Sequence, residues 1–408
     1  MRHCSRVLPV HCDRRKLGSR LCRAVLAAAC LVLAVGGVCA QGPGSSKPYR
    51  VMLDDPLQST CYGGPSVDPA FVREIAIGLY SPPESADPVG RAMVEGAGLA
   101  VEEANAGGGC NGVPFRLVRR WAENPWSAGS KEIVRLAYED NVSAVIGFLQ
   151  GTSNIAEQIA AKAYLPVVSP VSTDSSLTHA RIPWIFRLPP DIRTQAHLLV
   201  KRGMVPLRLG RVGLVTSTDH DGRMAAEDLR REMEGQGVPP AFHLPIGTDV
   251  NDQSRVASRI KAFSPDGLVM CLPPKIALKL AAALRGTNVT CSIFVPWIPG
   301  LKATDLHAVY EGPVVTVEPF EESASTIAFR EAYLQRFGAD PSPSAAYAYD
   351  AARLIVAAAR SGDPTRSGLR AGLAALSGFD GVTGPIRWDN GGGNQVQPVL
   401  RVFSNGMP

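Results

Sequence analysis

The sequence predicts an α/β protein of two doubly wound parallel-sheet lobes joined by a multi-strand hinge. Two observations carry this. From residue 75 onward, short apolar runs alternate with stretches of helical period, and strands alternating with amphipathic helices build parallel sheets covered on both faces. The alternation restarts after Pro189-Pro190, and a chain of 408 residues is longer than one hydrophobic core usually sustains.

The first series opens with a buried strand at 75–79. A helix over 89–105 follows, with Val94, Ala97, Val101 and Ala104 at steps of three and four. Gly107, Gly108 and Gly109 stop it. Strands at 115–121, 144–147 and from 166, with helices at 127–140 and 153–164, complete the series. The second series has strands at 211–215, 241–246, 267–271, 292–295 and 313–317, and helices at 223–236, 252–263 and 275–285. Helices at 324–337 and 344–360 and strands at 383–388 and 396–403 close the chain. One lobe is expected over 74–190 plus about 319–382, the other over 191–318 plus about 383–408. The hinge is expected at 188–191, 317–319 and 379–385.

Residues 1–40 read as a signal peptide. Residues 2–23 carry seven basic residues and one acid, 24–37 are an apolar run of 14, and Val38-Cys39-Ala40 places small residues before a cut at Gln41. The run is short of the roughly 20 residues that span a bilayer, so export to the periplasm is expected rather than anchoring. Cys39 as a lipidation site, Arg14-Arg15 as a twin-arginine signal and a start downstream of Met1 stay open as alternatives. Residues 41–73, rich in Gly, Pro and Ser, read as an irregular arm. The formal charge of +5 belongs to the leader, whose net is +6, so the remainder stands at −1 and offers no basic surface for nucleic acid. Four of nine cysteines lie beyond the leader. Two disulfides are expected, Cys271–Cys291 between neighbouring strands and Cys61–Cys110 from the remaining pair. No spacing suggests a metal or a cofactor.

In open α/β sheets, ligands bind beyond the carboxyl ends of the strands. That rule selects the loops 81–91, 148–154 and 169–174 in the first series, and 217–222, 272–275 and 296–300 in the second.

These stretches resemble the type I periplasmic binding proteins, in the leucine/isoleucine/valine-binding branch that serves ABC importers. The resemblance rests on Ile75-Ala-Ile-Gly-Leu-Tyr-Ser-Pro82, the glycine-rich region from Gly96 to Gly112, Val145-Ile-Gly147, Pro166-Val-Val-Ser-Pro-Val-Ser-Thr173, Phe186-Arg-Leu188 with Gln195, and Gly384-Pro-Ile-Arg-Trp-Asp389. Their order and spacing, over about residues 74–404, carry it; no one motif does. It implies a monomer that is no enzyme, binds a small solute such as an amino acid, amide or small organic acid, and hands it to a membrane permease. It also implies that the loop with Gly151, Thr152 and Ser153 holds a ligand carboxylate, as free amides and hydroxyls at a helix start would. Thr152 or Ser153 serves equally well as a plain helix cap. Ser172 and Thr173 match the segment that holds an α-amino group; an ordinary turn is the alternative.

The second series departs from that pattern. Trp297 stands where the resemblance implies an acid, and a tyrosine expected near Pro273 is missing. Trp297 either stacks on a ligand or packs in the core. Asp221 either supplies the missing negative charge or caps a helix starting at Gly222. Arg91 and Arg193 sit at helix ends facing the cleft, each as a solvated arginine or as a grip for a second carboxylate. Asp219-His220-Asp221 is the one acid–base triplet, and no nucleophile elbow, zinc motif or P-loop accompanies it. A module that docks on a membrane sensor is the alternative to transport, and a secreted hydrolase the weaker one.

Overall fold

The computed structural model describes residues 71–122, 129–147, 153–247, 252–376 and 378–404, with the side chains of 153–157 excepted. The chain divides into the units Met1–Pro48 and Tyr49–Pro408, and every described residue belongs to the second. The expected signal peptide and nearly all of the expected arm lie outside the described residues.

Strands β1 (Ile75–Tyr80), β2 (Phe115–Arg120), β3 (Ala144–Gly147), β4 (Val167–Ser169) and β5 (Ile185–Arg187) form one sheet in the order β2-β1-β3-β4-β5. Every pairing in it is parallel. Helices α1 (Pro88–Ala106), α2 (Gly129–Tyr138), α3 (Ser153–Ala163) and the single turn α4 (Ser176–His179) link its strands. Each residue of β1 is buried, as expected for a strand covered on both faces.

After β5 the chain crosses to the second sheet. Helix α5 (Ile192–Leu198) runs on into a π-helical turn, Leu199–Met204. Strands β6 (Val212–Ser217), β7 (Phe242–Ile246), β8 (Gly267–Cys271), β9 (Ser292–Val295) and β10 (Val314–Glu318) alternate with α6 (His220–Gly235), α7 (Gln253–Phe263), α8 (Pro274–Gly286) and α9 (Ala303–Val309). Helices α10 (Ala324–Phe337), α11 (Pro343–Arg360) and α12 (Arg366–Ala375) then return to pack beside α1 and one another. A hairpin, β11 (Phe379–Gly381) and β12 (Gly384–Ile386), precedes β13 (Val399–Phe403). The six-stranded order is β13-β10-β9-β8-β6-β7, parallel throughout except that β13 runs antiparallel to β10.

Sequence explains the tightest contacts. A Cβ on Gly96 of α1 would stand 2.2 Å from the Ala345 carbonyl oxygen of α11, so glycine sets how closely those helices approach. One apolar core runs unbroken from Ile75 and Phe186 of the first sheet, through Leu188 and Ile192, to Leu214 and Phe294 of the second. Full burial of each such side chain contributes roughly 1.5–3 kcal/mol. Asp350 of α11, fully buried, ties down the hairpin: it accepts from Val382 N at 2.9 Å, Thr383 N at 2.9 Å and Thr383 Oγ1 at 2.7 Å.

The expected disulfides need correction. Cys271 and Cys291 are free thiols. Gly267 pairs with Ser292 and Val269 with Phe294, so Cys271 ends one parallel strand while Cys291 precedes the start of the next. Five residue levels at about 3.3 Å each separate them by roughly 16 Å, against the roughly 7 Å a disulfide tolerates. Cys110 is also a free, buried thiol and donates to the Ala359 carbonyl at 3.3 Å. Cys61, its expected partner, lies outside the described residues.

Candidate functional site

Both sheets aim their carboxyl ends at one cleft. Its walls include Thr173 and Asp174 beyond β4; Ser217, Asp219 and Asp221 at the junction of β6 and α6; Cys271 at the end of β8 with Pro273 beyond it; and Trp297 beyond β9. Its enclosed volume is about 60 Å³, well below the range of about 300–1,000 Å³ typical of ligand pockets. In the second sheet the strand order reverses between β6 and β8, and loops at such a switch point diverge to leave a crevice.

The first wall is a turn held by its own polar atoms. Ser169 Oγ accepts from Ser172 N at 3.3 Å. The carbonyls of Thr173 and Asp174 are fixed from the crossing segment: Ile192 N donates to the first at 2.8 Å and Arg187 Nη1 to the second at 3.0 Å. Thr173 is half-buried with its side on the cleft. Ser172 is 1% exposed, does not line the cleft, and its Oγ accepts from Asp174 N at 3.4 Å. Gly151 and Thr152 lie outside the described residues, and of Ser153 the backbone alone is described, as the first residue of α3.

The second wall is the start of α6. Asp219, not Asp221, caps that helix: its Oδ1 accepts from Gly222 N at 2.8 Å and from Ser217 Oγ at 2.8 Å. The helix begins at His220, two residues earlier than the sequence suggested, and Asp221 lies in its first turn. A Cβ on Gly222 would meet the Ser217 carbonyl oxygen at 2.1 Å, so glycine lets the helix start against the strand end. Asp221 is thereby free of capping duty and lines the cleft, half-buried. Between the two walls His220 Nε2 meets Asp174 Oδ2 at 3.1 Å, and Ser175 Oγ donates to buried Asp228 of α6 at 2.7 Å. Arg193 does not face the cleft; its Nε donates to Asp228 at 2.9 Å.

Of its two sequence alternatives, Trp297 shows the packing one: its ring lies on Tyr347 with centroids 5.8 Å apart, and the residue, 6% exposed, borders the cleft. Its backbone N donates to Gln195 Oε1 at 2.7 Å, and Gln195 Nε2 donates to the Pro190 carbonyl at 2.9 Å. Fully buried Gln195 therefore pins the Trp297 loop to the crossing segment.

Burial pushes the Cys271 thiol up to about 12, and the charges of Asp221 and Asp219 add to the shift. Sequence reasoning did not single out Asp174, Asp219, Cys271 or Gln195 as site residues. The position of Gln195 within the resembling stretch, the location of Asp174 and Asp219 in selected loops, and the place of Cys271 as the last residue of its strand were the available signals.

A cleft lined from the strand ends of two α/β lobes is a ligand-binding crevice. The profile of the periplasmic binding protein family matches residues 74–405, and the chain belongs to that family. A curated amino acid binding protein of Pseudomonas aeruginosa is 24% identical over 195 residues, 47% of this chain and 52% of that protein; the chain spans about half the length of that relative. LivJ of Streptococcus pneumoniae, a branched-chain amino acid transporter substrate binding protein in complex with isoleucine, superposes with TM-score 0.72 at 24% identity, covering 82% of this chain and 97% of that one. A solute binding protein of an ABC transporter from R. palustris, in complex with benzoate, gives TM-score 0.68 at 20% identity, covering 81% and 92%. At these identities the structures establish the fold.

Proposed function

We propose that the protein is exported to the periplasm, captures a small polar solute between its two lobes and delivers it to the permease of an ABC importer. One observation carries the reading: loops from the carboxyl ends of both sheets converge on a single cleft with hydroxyls and carboxylates in its walls and an aromatic ring beside them. The lobes close by bending at the crossings near 188–191 and after Glu318, and the closed form is what the permease recognises. The structural neighbours are named as substrate- or solute-binding proteins of transporters, which lends the transport role its support. Within the cleft, Thr173 offers a hydroxyl from one lobe, with Gly151, Thr152 and Ser153 expected beside it, while Asp221 and Trp297 face the solute from the other.

A thermal-shift screen of amino acids, amides, amines and small organic acids tests this. A ligand at a hundred times its Kd stabilises the bound form by about 2.7 kcal/mol. Thr173→Val should weaken binding about tenfold, as loss of one hydrogen bond to a charged group predicts. Unchanged binding by Thr173→Val, with the fold intact, would place the site elsewhere.

A further inference from the structure

A second chamber lies on the far side of the Trp297 loop. Pro296, Trp297 and Ile298 border both it and the cleft, so this loop is the partition between them. The chamber sits beyond the carboxyl ends of β9 and β10, beside α9 and the starts of α1 and α11. Its enclosed volume is about 310 Å³ against about 60 Å³ for the cleft, which brings it into the range of ligand pockets. Val89, Leu301, Leu306, Val317 and Phe403 give it an apolar wall. A Cβ on Gly300 would stand 3.0 Å from Val89 Cγ2, so the partition loop reaches the start of α1 beside it.

The polar groups of the chamber are few and uncommitted. Helix α11, 18 residues long, begins on its wall with Ser342, Pro343 and Ser344. Ser342 stands at the cap position without a side-chain cap bond, and the first amides of a helix have no partner within it. Ser344, 2% exposed, and Thr316 of β10, 6% exposed, line the same wall, and neither hydroxyl has a hydrogen-bond partner among the described residues. Buried polar groups are normally paired, so idle hydroxyls beside a helix start point to a hydrogen-bonding occupant. Among the described residues the charged side chains of the wall are Glu318, at the end of β10, and exposed Lys302, at the cap position of α9. Glu318 is half-buried and in no ion pair or hydrogen bond among the described residues. Burial raises its carboxyl above the ordinary value, and Arg401 acts against the rise. Glu318 and Ser342 also border one smaller hollow together, which puts the acid and the helix start at the same edge of the chamber.

We propose that this chamber is a second ligand site, separate from the cleft, for a small zwitterion with a bulky apolar body. Its carboxylate meets Ser342 and Ser344 at the start of α11, its ammonium meets Glu318, and its body lies against Leu301 and Phe403. Amides and hydroxyls at the positive end of a helix suit an anion, and an uncommitted carboxylate suits a cation. A molecule with one charge alone leaves the other counterpart unmatched. The site goes beyond the cleft reading and does not depend on it.

Calorimetry on the full chain, produced with its own leader and purified after export, tests the assignment at neutral pH. The probes are L-phenylalanine, L-leucine, phenylacetate and phenethylamine. At least one amino acid should bind about tenfold or more tighter than either single-charge probe, a comparison that needs no variant. Glu318→Gln, and Thr316→Val combined with Ser344→Ala, should each weaken that binding about tenfold or more. Thr173→Val, in the cleft, should leave it unchanged. Thermal melts establish that each variant is folded. The proposal is overturned if no probe binds, or if phenylacetate or phenethylamine binds as tightly as both amino acids. It is also overturned if every binding event weakens in Thr173→Val, because the ligand then sits in the cleft or in one space continuous with it. In that last case the cleft reading stands alone. If no solute in the wider screen shifts melting either, that reading fails too.

Discussion

The crossing between the lobes contains a buried ion pair whose loss should be measurable. Arg187 Nη2 stands 3.1 Å from Asp191 Oδ2, with side chains 4% and 9% exposed. Asp191 also caps α5 by accepting from Thr194 N at 2.8 Å. Asp191→Asn keeps a capping oxygen and the shape but removes the charge, leaving the Arg187 guanidinium buried with the Asp174 carbonyl as its remaining partner at 3.0 Å. Removing one member of a buried pair costs about 3–5 kcal/mol. An unfolding entropy of about 2.1 cal/mol/K per residue over roughly 330 residues converts this to a fall in Tm of about 4–7 °C. The pH dependence has a definite sign. Burial alone would raise the Asp191 carboxyl, but Arg187 and the Thr194 hydrogen bonds outweigh it and hold the group below its ordinary 3.8. A depressed carboxyl contributes stability above its unfolded value and loses it as pH falls through the folded one. Calorimetric melts of wild type and Asp191→Asn should therefore differ fully from pH 7 down to about 4.5, begin to approach each other near 3.8, and meet only below the depressed folded value. A difference under about 1 °C at pH 7, or one that does not shrink in acid, would refute the argument. Arg187 also holds the carbonyl next to Thr173, so the variant should bind solute more weakly as well.

Gly222→Ala should lower Tm through overpacking of about 1–3 kcal/mol, because its Cβ would lie 2.1 Å from a backbone oxygen at the end of β6; a melt equal to wild type would contradict that close approach. Asp350→Ala should destabilise by about 1–3 kcal/mol, since Val382 N and Thr383 N lose their buried acceptor, and hydrogen exchange at those two amides should accelerate. With its thiol near 12, Cys271 should react with iodoacetamide at pH 8 about a thousandfold more slowly than a free cysteine, as intact-mass time courses will show. Mass spectrometry of periplasmic material should find a chain beginning at Gln41.

The sheet strands were legible because burial on both faces makes them unbroken apolar runs: β1 is Ile75-Ala-Ile-Gly-Leu-Tyr80, and β6, β8 and β9 read the same way. The three-residue β5, set between Trp184 and Pro189, was too short to show a period. Helices α9 and α12 went unread for a related reason, each being brief and flanked by turn residues. The disulfide error was one of direction: adjacency in a parallel sheet aligns like ends of strands, so a cysteine at the end of one strand does not meet a cysteine before the start of the next. The selected loops at 169–174, 217–222, 272–275 and 296–300 contribute to the cleft, while Ile192, Met224, Ala225 and Cys271 reach it from outside them. What the sequence left hidden was which acid would be consumed by the helix, because a cap two residues earlier is decided by backbone geometry at Asp219 rather than by residue type.

That choice of cap bears directly on the cleft. Asp219 and Gly222 are committed to structure: one satisfies the first amides of α6, and the other lets the helix begin against Ser217. Changing either alters the start of the helix before it alters a ligand contact. Asp221 is not the cap, and Trp297 borders the cleft with its position fixed by Tyr347 and Gln195. The resemblance implied an acid after β9, and the chain places an indole there instead; its acids come from the end of β6 and the turn after β4. The negative charge of the cleft is thus retained but moved to a different loop, and a helix start holds it more rigidly than a side chain on a free loop would. Exchange of Asp219 should therefore lower stability and solute binding together, because it removes the cap of α6 beside the cleft.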